Sequence, residues 1–404
     1  MEKQLIPQLR FQEFNDLYSK QEFSDLVIRV KKSYNPNKDL ENFQCIELES
    51  LTQKTGQLLN TFDSKELKSN KTRFNKNDVL FGKLRPYLRK FWLAQFDGVC
   101  TSEIWVFKGR IISNPFLYYL IQTDKFNYEA NVSSGSKMPR ADWNYISSIK
   151  FAVPNSSNEQ KKIASFLTAV DTKITQLTKK KALLEQYKKG VMQKIFKQEI
   201  RFKDANGNNY PEWVYVELGK LGLTLNGLTG KTKDDFGIGK PYIQYKQIFD
   251  SSKINIKNCG LVNISQNDKQ TKVKHGDVFF TTSSETPNEI GTASVLLDEV
   301  DEMYLNSFCF GYRVDLNKLY PSFAQFLFRS EEFRRKMIPL AQGSTRYNIS
   351  KSSFLKLKVQ LPLIEEQTKI ANFLSAIDKK VALVNTQLNT TKTFKKGLLQ
   401  QLFV

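Results

Sequence analysis

EQKKIASFLTAVDTKI, Glu159 to Ile174, and EQTKIANFLSAIDKKV, Glu366 to Val381, are nearly the same sixteen residues, 207 positions apart. Ten of the sixteen positions are identical, and Val170/Ile377 and Ile174/Val381 exchange like for like. The likeness extends outward. YKKGVMQKIF (Tyr187 to Phe196) answers FKKGLLQQLF (Phe394 to Phe403) at the same offset, and upstream GSKMPRADWNYISSIKFAVP (Gly135 to Pro154) answers GSTRYNISKSSFLKLKVQLP (Gly343 to Pro362) at an offset of 208. Leu9-Arg10-Phe11 echoes Ile200-Arg201-Phe202, and Asp78-Val79-Leu80-Phe81 can be laid on Asp277-Val278-Phe279-Phe280; elsewhere the halves diverge. Such a long-period repeat decides the architecture. A variable domain (1–153) leads to a shared helix (154–198), then a second variable domain (199–361) leads to a second shared helix (362–404).

The shared segments are helical by period. Ile163, Leu167, Val170, Ile174, Leu177, Lys181, Leu184, Lys188, Val191 and Ile195 alternate 4 and 3 apart. So do Ile370, Leu374, Ile377, Val381, Val384, Leu388, Thr391, Lys395, Leu398 and Leu402. That is a coiled-coil seam, weakened in its later half by the polar entries Lys181, Lys188, Thr391 and Lys395. Pro154 and Pro362 stand where a proline fits before a helix, and Gly190 and Gly397 each cost about 1 kcal/mol relative to Ala. A helix with one apolar stripe must bury it. The stripes either pack on their own domains or bury each other as an antiparallel pair; near-identity after two dissimilar domains favours the pair. At 1.5 Å per residue the seam is roughly 50 Å long, so the repeat reads as a spacer.

Composition narrows the partner. Lys and Arg total 61 against 41 Asp and Glu, a formal charge of +20, which favours a polyanion and above all nucleic acid. Surplus lysine that merely keeps a protein soluble is the bland alternative. The 30 Phe argue for folded domains rather than a basic tail. Cys45, Cys100, Cys259 and Cys309 lack metal-site or disulfide spacing, and read as buried apolar residues in a reducing compartment. MEKQLIPQLRFQEF has no signal-peptide core and no run of about 18 apolar residues occurs, so a soluble, cytoplasmic protein is expected.

Catalytic motifs are missing. His275 is the sole histidine, which all but excludes His-based triads and polyhistidine metal sites. NGLTGKT (Asn226 to Thr232) has Leu225 where a phosphate loop needs glycine. Asn114-Pro115-Phe116 lacks the second proline of an adenine-methyltransferase motif. The expectation is a chain that is not an enzyme and holds no metal.

Strand patterns occur in both variable domains, at FSDLVIRV, NDVLFGKL and EIWVF in the first and KPYIQY, GDVFFTT, TASVLL and FCFGYRV in the second. Each domain then shows one short amphipathic helix, PFLYYLIQTDKF and SFAQFLFRSEEF. The fold class expected is α/β (α+β): two mixed domains and two long helices in a pseudo-twofold repeat. FGKLRPYLRKFW (Phe81 to Trp92) offers Lys83, Arg85, Tyr87, Arg89 and Lys90, and SSGSKMPR adds Lys137 and Arg140. Arg suits bidentate contacts to phosphate or guanine, and Lys supplies point charges. A solvated basic loop is the bland reading of one such patch alone. In the second half Thr281, Thr282, Ser283, Arg346, Tyr347 and Asn348 stand at comparable positions, with Asn348 able to read adenine or simply to cap a turn. Unlike surfaces on one scaffold would read two different sequences.

The EQxKIAxFLxAxDxK segments, NDVLFGKLRPYLRK, GSKMPRADW and GSTRYNIS, in this order, resemble the specificity (S) subunits of type I restriction-modification enzymes over almost the whole chain. The resemblance implies two target recognition domains, each reading half of a bipartite site in double-stranded DNA, and an antiparallel helix pair acting as a ruler. It further implies two modification subunits that methylate adenine N6 with S-adenosylmethionine, and two restriction subunits using ATP and Mg²⁺, all on the nucleoid of a bacterium or archaeon. No cofactor would belong to this chain, and no membrane would be involved. The rival is a two-domain DNA-binding protein acting alone.

Overall fold

The structure, a computed structural model, describes residues 5–132 and 138–404. It divides into two compact units, Met1–Lys179 with Asn385–Val404, and Lys180–Val384. Each is mixed α/β, and each is organised by an antiparallel four-stranded sheet. In the first unit the order across the sheet is Val27–Val30, Ile104–Gly109, Val79–Gly82, Phe91–Leu93; in the second it is Gly222–Asn226, Cys309–Val314, Val278–Thr281, Ala293–Val295. The registers also match: Val79 lies opposite Phe107 and Leu93, and Val278 opposite Tyr312 and Val295. The alignment of Asp78–Phe81 on Asp277–Phe280 therefore holds in three dimensions.

Alternation along these strands places large apolar residues on the side facing the short helices. Phe81 and Phe107 meet Phe23, Phe116 and Phe126 in one unit; Phe280 and Phe310 meet Phe328, Phe333 and Phe354 in the other. Each such burial is worth about 1.5–3 kcal/mol. The second sheets differ. The first unit has five strands in the order Ser33–Tyr34, Lys71–Phe74, Gly98–Cys100, Gln44–Ile46, Phe62–Asp63, whereas the second has three, Gly260–Val262, Phe236–Ile243 and Tyr304–Leu305.

Two local expectations need correction. FSDLVIRV is not all strand: a helical turn, Phe23–Leu26, precedes it and buries both Phe23 and Leu26. The single short helix expected in each domain is two, Asn114–Leu120 then Asp124–Ala130, and Pro321–Leu327 then Glu331–Met337. The break has the same cause twice. The Thr123 and Ser330 hydroxyls accept from Phe126 N and Phe333 N as N-caps of the second helix.

The long helices run Ser157–Phe196 and Ile364–Gln401. In the first unit Ile163, Leu167 and Val170 share a core with Leu398, Leu402 and Phe403. In the second, Ile195 and Phe196 share one with Ile370, Leu374 and Ile377. The beginning of one helix thus packs on the end of the other in each unit, which is antiparallel pairing. The remaining seam positions Ile174, Leu177, Leu184, Val381, Val384 and Leu388 are buried or half-buried. Both readings of the stripes prove true, because these cores are also the cores of the domains. Among the described residues no helix is long and apolar enough to cross a membrane.

Two of the four polar seam entries, Lys188 and Lys395, are cross-links rather than weak points. Lys188 Nζ lies 2.5 Å from Asp378 and Lys395 Nζ 2.7 Å from Asp171. Each ammonium also sits by an aromatic ring of the domain, Phe326 at 5.2 Å and Tyr119 at 5.6 Å. Each helix carries its Asp early and its Lys late. An in-register parallel pairing would set like charges side by side, so these pairs specify the antiparallel one.

The repeated Glu-Gln at the start of each helix is accounted for as well. Glu159 is buried and accepts from Arg10 Nε and Nη2, both at 2.8 Å, and from Tyr18 Oη at 3.1 Å. Glu366, also buried, accepts from Arg201 Nη2 at 2.9 Å and from Trp213 Nε1 at 3.2 Å. The echo of Leu9-Arg10-Phe11 in Ile200-Arg201-Phe202 supplies these arginines, whose pKa the carboxylate hydrogen bonds raise. Gln160 accepts from Ser113 N and donates to Pro154 O; Gln367 accepts from Tyr320 N and donates to Pro362 O.

Candidate nucleic-acid interface

In the first unit the strand Val79–Gly82 leaves the sheet at Lys83. Lys83 N donates to Glu103 O, Ala141 N donates to Lys83 O, and Arg85 N donates to Pro139 O at 2.7 Å. Leu84 bridges to Arg140, so the two patches picked out in the sequence are joined. The second unit makes the same junction: Ser283 and Ser284 pair with Asn348 and Tyr347. One loop junction therefore recurs in both units and carries different side chains in each.

The first junction is strained. Arg85 and Arg89, either side of the Pro86–Leu88 turn, have φ of 51° and 50°. Left-handed non-glycine residues cost about 1–2 kcal/mol each and gather at functional sites. Lys83, Arg85 and Tyr87 face outward or into a groove, and Tyr87 is 52% exposed. Arg89 is 3.1 Å from Asp124, and Arg140 bonds Glu103 through Nε and Nη2 at 3.1 and 3.3 Å. Both are already partnered. Lys90 is turned inward, donating to Leu48 O at 2.7 Å, and burial pushes its pKa down. Lys137 lies outside the described residues.

A groove of about 310 Å³ opens beside Lys83, lined also by Arg29, Lys31, Lys71, Ser102 and Trp105. The Arg29 guanidinium lies 4.7 Å over the Trp143 ring and 6.0 Å from that of Trp105. FSDLVIRV reads only as a strand, so Arg29, inside it, and Lys31, just beyond it, are missed in the sequence. The signal available was an arginine inside a strand, followed by Lys31 and Lys32.

The second junction is polar and aromatic. Thr281 is buried, and its hydroxyl accepts from Thr292 N at 3.0 Å, so it holds the loop rather than facing out. Thr282 is engaged through its backbone, its N donating to Phe308 O and its O accepting from Ile349 N. Ser283 O accepts from Tyr245 Oη. Gly343 has φ of 130°, and a Cβ there would meet Arg346 O at 2.2 Å, so the turn that presents Arg346 requires glycine. Arg346 is exposed, 3.9 Å from Glu285. Asn348 is held in the ladder by backbone bonds to Gln342. A pocket of about 340 Å³ is lined by Tyr245, Ser283, Glu285, Glu289, Phe308 and Arg346. Carboxylates there suit the amino group of a base, whereas the cations around the first unit's groove suit phosphate.

Among the described residues no group of three or more His, Cys, Asp or Glu is placed to hold a metal ion. The chain matches, over residues 25–186 and again over 210–392, the family model of the type I restriction modification DNA specificity domain. It is 24% identical over 316 residues to the type I restriction enzyme MjaVIII specificity subunit of Methanocaldococcus jannaschii, covering 73% of this chain and 70% of that one. A chain solved in work on complex assembly and conformational transition of the type I R-M system superposes with a TM-score of 0.60 at 17% identity, covering 95% of this chain and 96% of the other. The type I restriction-modification S subunit from M. genitalium does so with a TM-score of 0.58 at 14% identity, covering 99% of both.

Proposed function

Because the chain belongs to the type I restriction-modification DNA specificity family, we propose that each of its units reads one half of a split, asymmetric target in double-stranded DNA. Its role is sequence specificity within a type I system, exercised with DNA and partner subunits, and it is a recognition chain rather than a catalytic one. The observation that carries the two-site reading is the recurring loop junction, Leu84 against Arg140 and Ser283–Ser284 against Tyr347–Asn348. A duplicated frame with unlike side chains at one address is what two unlike half-sites demand.

In the same reading, two modification subunits methylate adenine N6 with S-adenosylmethionine, and two restriction subunits with ATP and Mg²⁺ cleave. The twofold repeat of the long helices supports a paired stoichiometry. The helices also set the spacer between half-sites, so inserting one turn into either should change the spacing and leave the half-site sequences alone. The direct test of roles incubates the purified chain with DNA, Mg²⁺ and S-adenosylmethionine. No turnover is expected until a modification subunit is added; methyl transfer or cleavage by the chain alone would overturn the assignment.

A further inference from the structure

The groove beside Lys83 holds a cation that the fold leaves without a counter-charge. Arg29 Nε is out of water and has no hydrogen-bond partner among the described residues. The guanidinium lies over the Trp143 ring at 4.7 Å, which supplies no acceptor, and burial pushes its pKa down. Lys71 is neutralised by Glu47 at 2.6 Å, but Lys31 is exposed and Lys83 half-exposed. No carboxylate lines the groove among the described residues; the pocket of the second unit has two, Glu285 and Glu289.

We propose that this groove clamps one phosphate of the DNA backbone, with Arg29 as its fixed donor and Lys31 and Lys83 as flanking charges. The inference rests on the DNA-recognition reading and adds a contact that positions the duplex without reading it. A phosphate is favoured over a base edge because several donor-only cations converge with hydroxyls such as that of Ser102. A base edge asks for one bidentate partner.

The test uses the full chain in complex with its modification subunits. Binding is measured over a salt series, to a duplex carrying the methylated motif and to one with a half-site scrambled. Arg29→Ala and Lys31→Ala should each flatten the slope of log K against log salt, the two together by about 0.9, the contribution of one phosphate. Both duplexes should weaken by the same factor, and the methylated motif should stay unchanged. Lys31 is exposed, so its variant folds whatever Arg29→Ala does to the tryptophan stack. An unchanged slope in both variants overturns the clamp. Loss confined to the motif duplex, with one base position relaxed, overturns it in favour of base reading. Salt-insensitive binding by the wild-type complex would instead sink the DNA reading on which the clamp rests.

Discussion

The two units agree where a buried charge must be satisfied and disagree where a surface is presented. Glu159 with Arg10 and Glu366 with Arg201, Gln160 and Gln367 at the helix starts, and Asp171–Lys395 and Asp378–Lys188 along the seam are the same solution reached twice. At the loop junction the agreement ends. The first unit puts Arg29, Lys31, Lys83 and Trp105 around a groove; the second puts Tyr245, Phe308, Glu285 and Glu289 around a pocket. The difference teaches that the repeated residues specify frame and pairing, and that the unrepeated ones are free to choose a ligand.

The largest expected effect tests the shared frame. Glu366→Ala leaves Arg201 and Trp213 facing an empty position and should cost about 3–5 kcal/mol. Glu159→Ala should cost the same in its own unit, measured by urea unfolding followed by domain-specific hydrogen exchange. A large loss in one unit and none in the other would break the equivalence.

The next sharpens the contrast between surfaces. Arg346→Ala with Asn348→Ala should relax or weaken one half-site only, by about 1–3 kcal/mol of discrimination, read from the methylated motif of cells carrying the variant. Equal loss at both halves would contradict separate reading. Smaller again is the seam. Lys188→Ala and Lys395→Ala should each cost about 1 kcal/mol, because these pairs are only partly buried. Exchanging the charges of Lys188 and Asp378 should recover most of that loss in a double-mutant cycle; no coupling would mean the pairs do not specify the register.

The smallest effect concerns how the second unit neutralises its own lysines. Hydrogen bonds from Lys240 first, then Tyr304 and Lys272, hold the Glu302 carboxyl down at about 2, below its ordinary 4.5. A depressed carboxylate stabilises the fold above the ordinary value and loses that contribution as pH falls towards about 2. Glu302→Gln should therefore flatten acid unfolding of the second unit in that window, and an unchanged profile would remove the ion pair from the account.

Much of this was legible in the sequence because repetition exposes residues that need a partner. The seam and the paired loop patches follow from matching Ile163–Ile195 with Ile370–Leu402 and GSKMPR with GSTRYN, whereas the antiparallel sense is what the family resemblance implies. Lys188 and Lys395 were misjudged because spacing along one helix does not show that an Asp of the other faces them. Thr281 and Lys90 drew notice for their chemistry, but strand alternation and a distant carbonyl turn them inward. Arg29 escaped because its importance lies in Trp143, more than a hundred residues away. Contacts of that range are set by the fold and leave no local pattern.

The most direct measurement of the central claim is long-read mapping of N6-methyladenine in host DNA, with and without this gene. A split motif, two unlike half-sites at a fixed spacing, should disappear on deletion and return on complementation. An unchanged methylation map, with the modification subunit shown to be expressed, would contradict it.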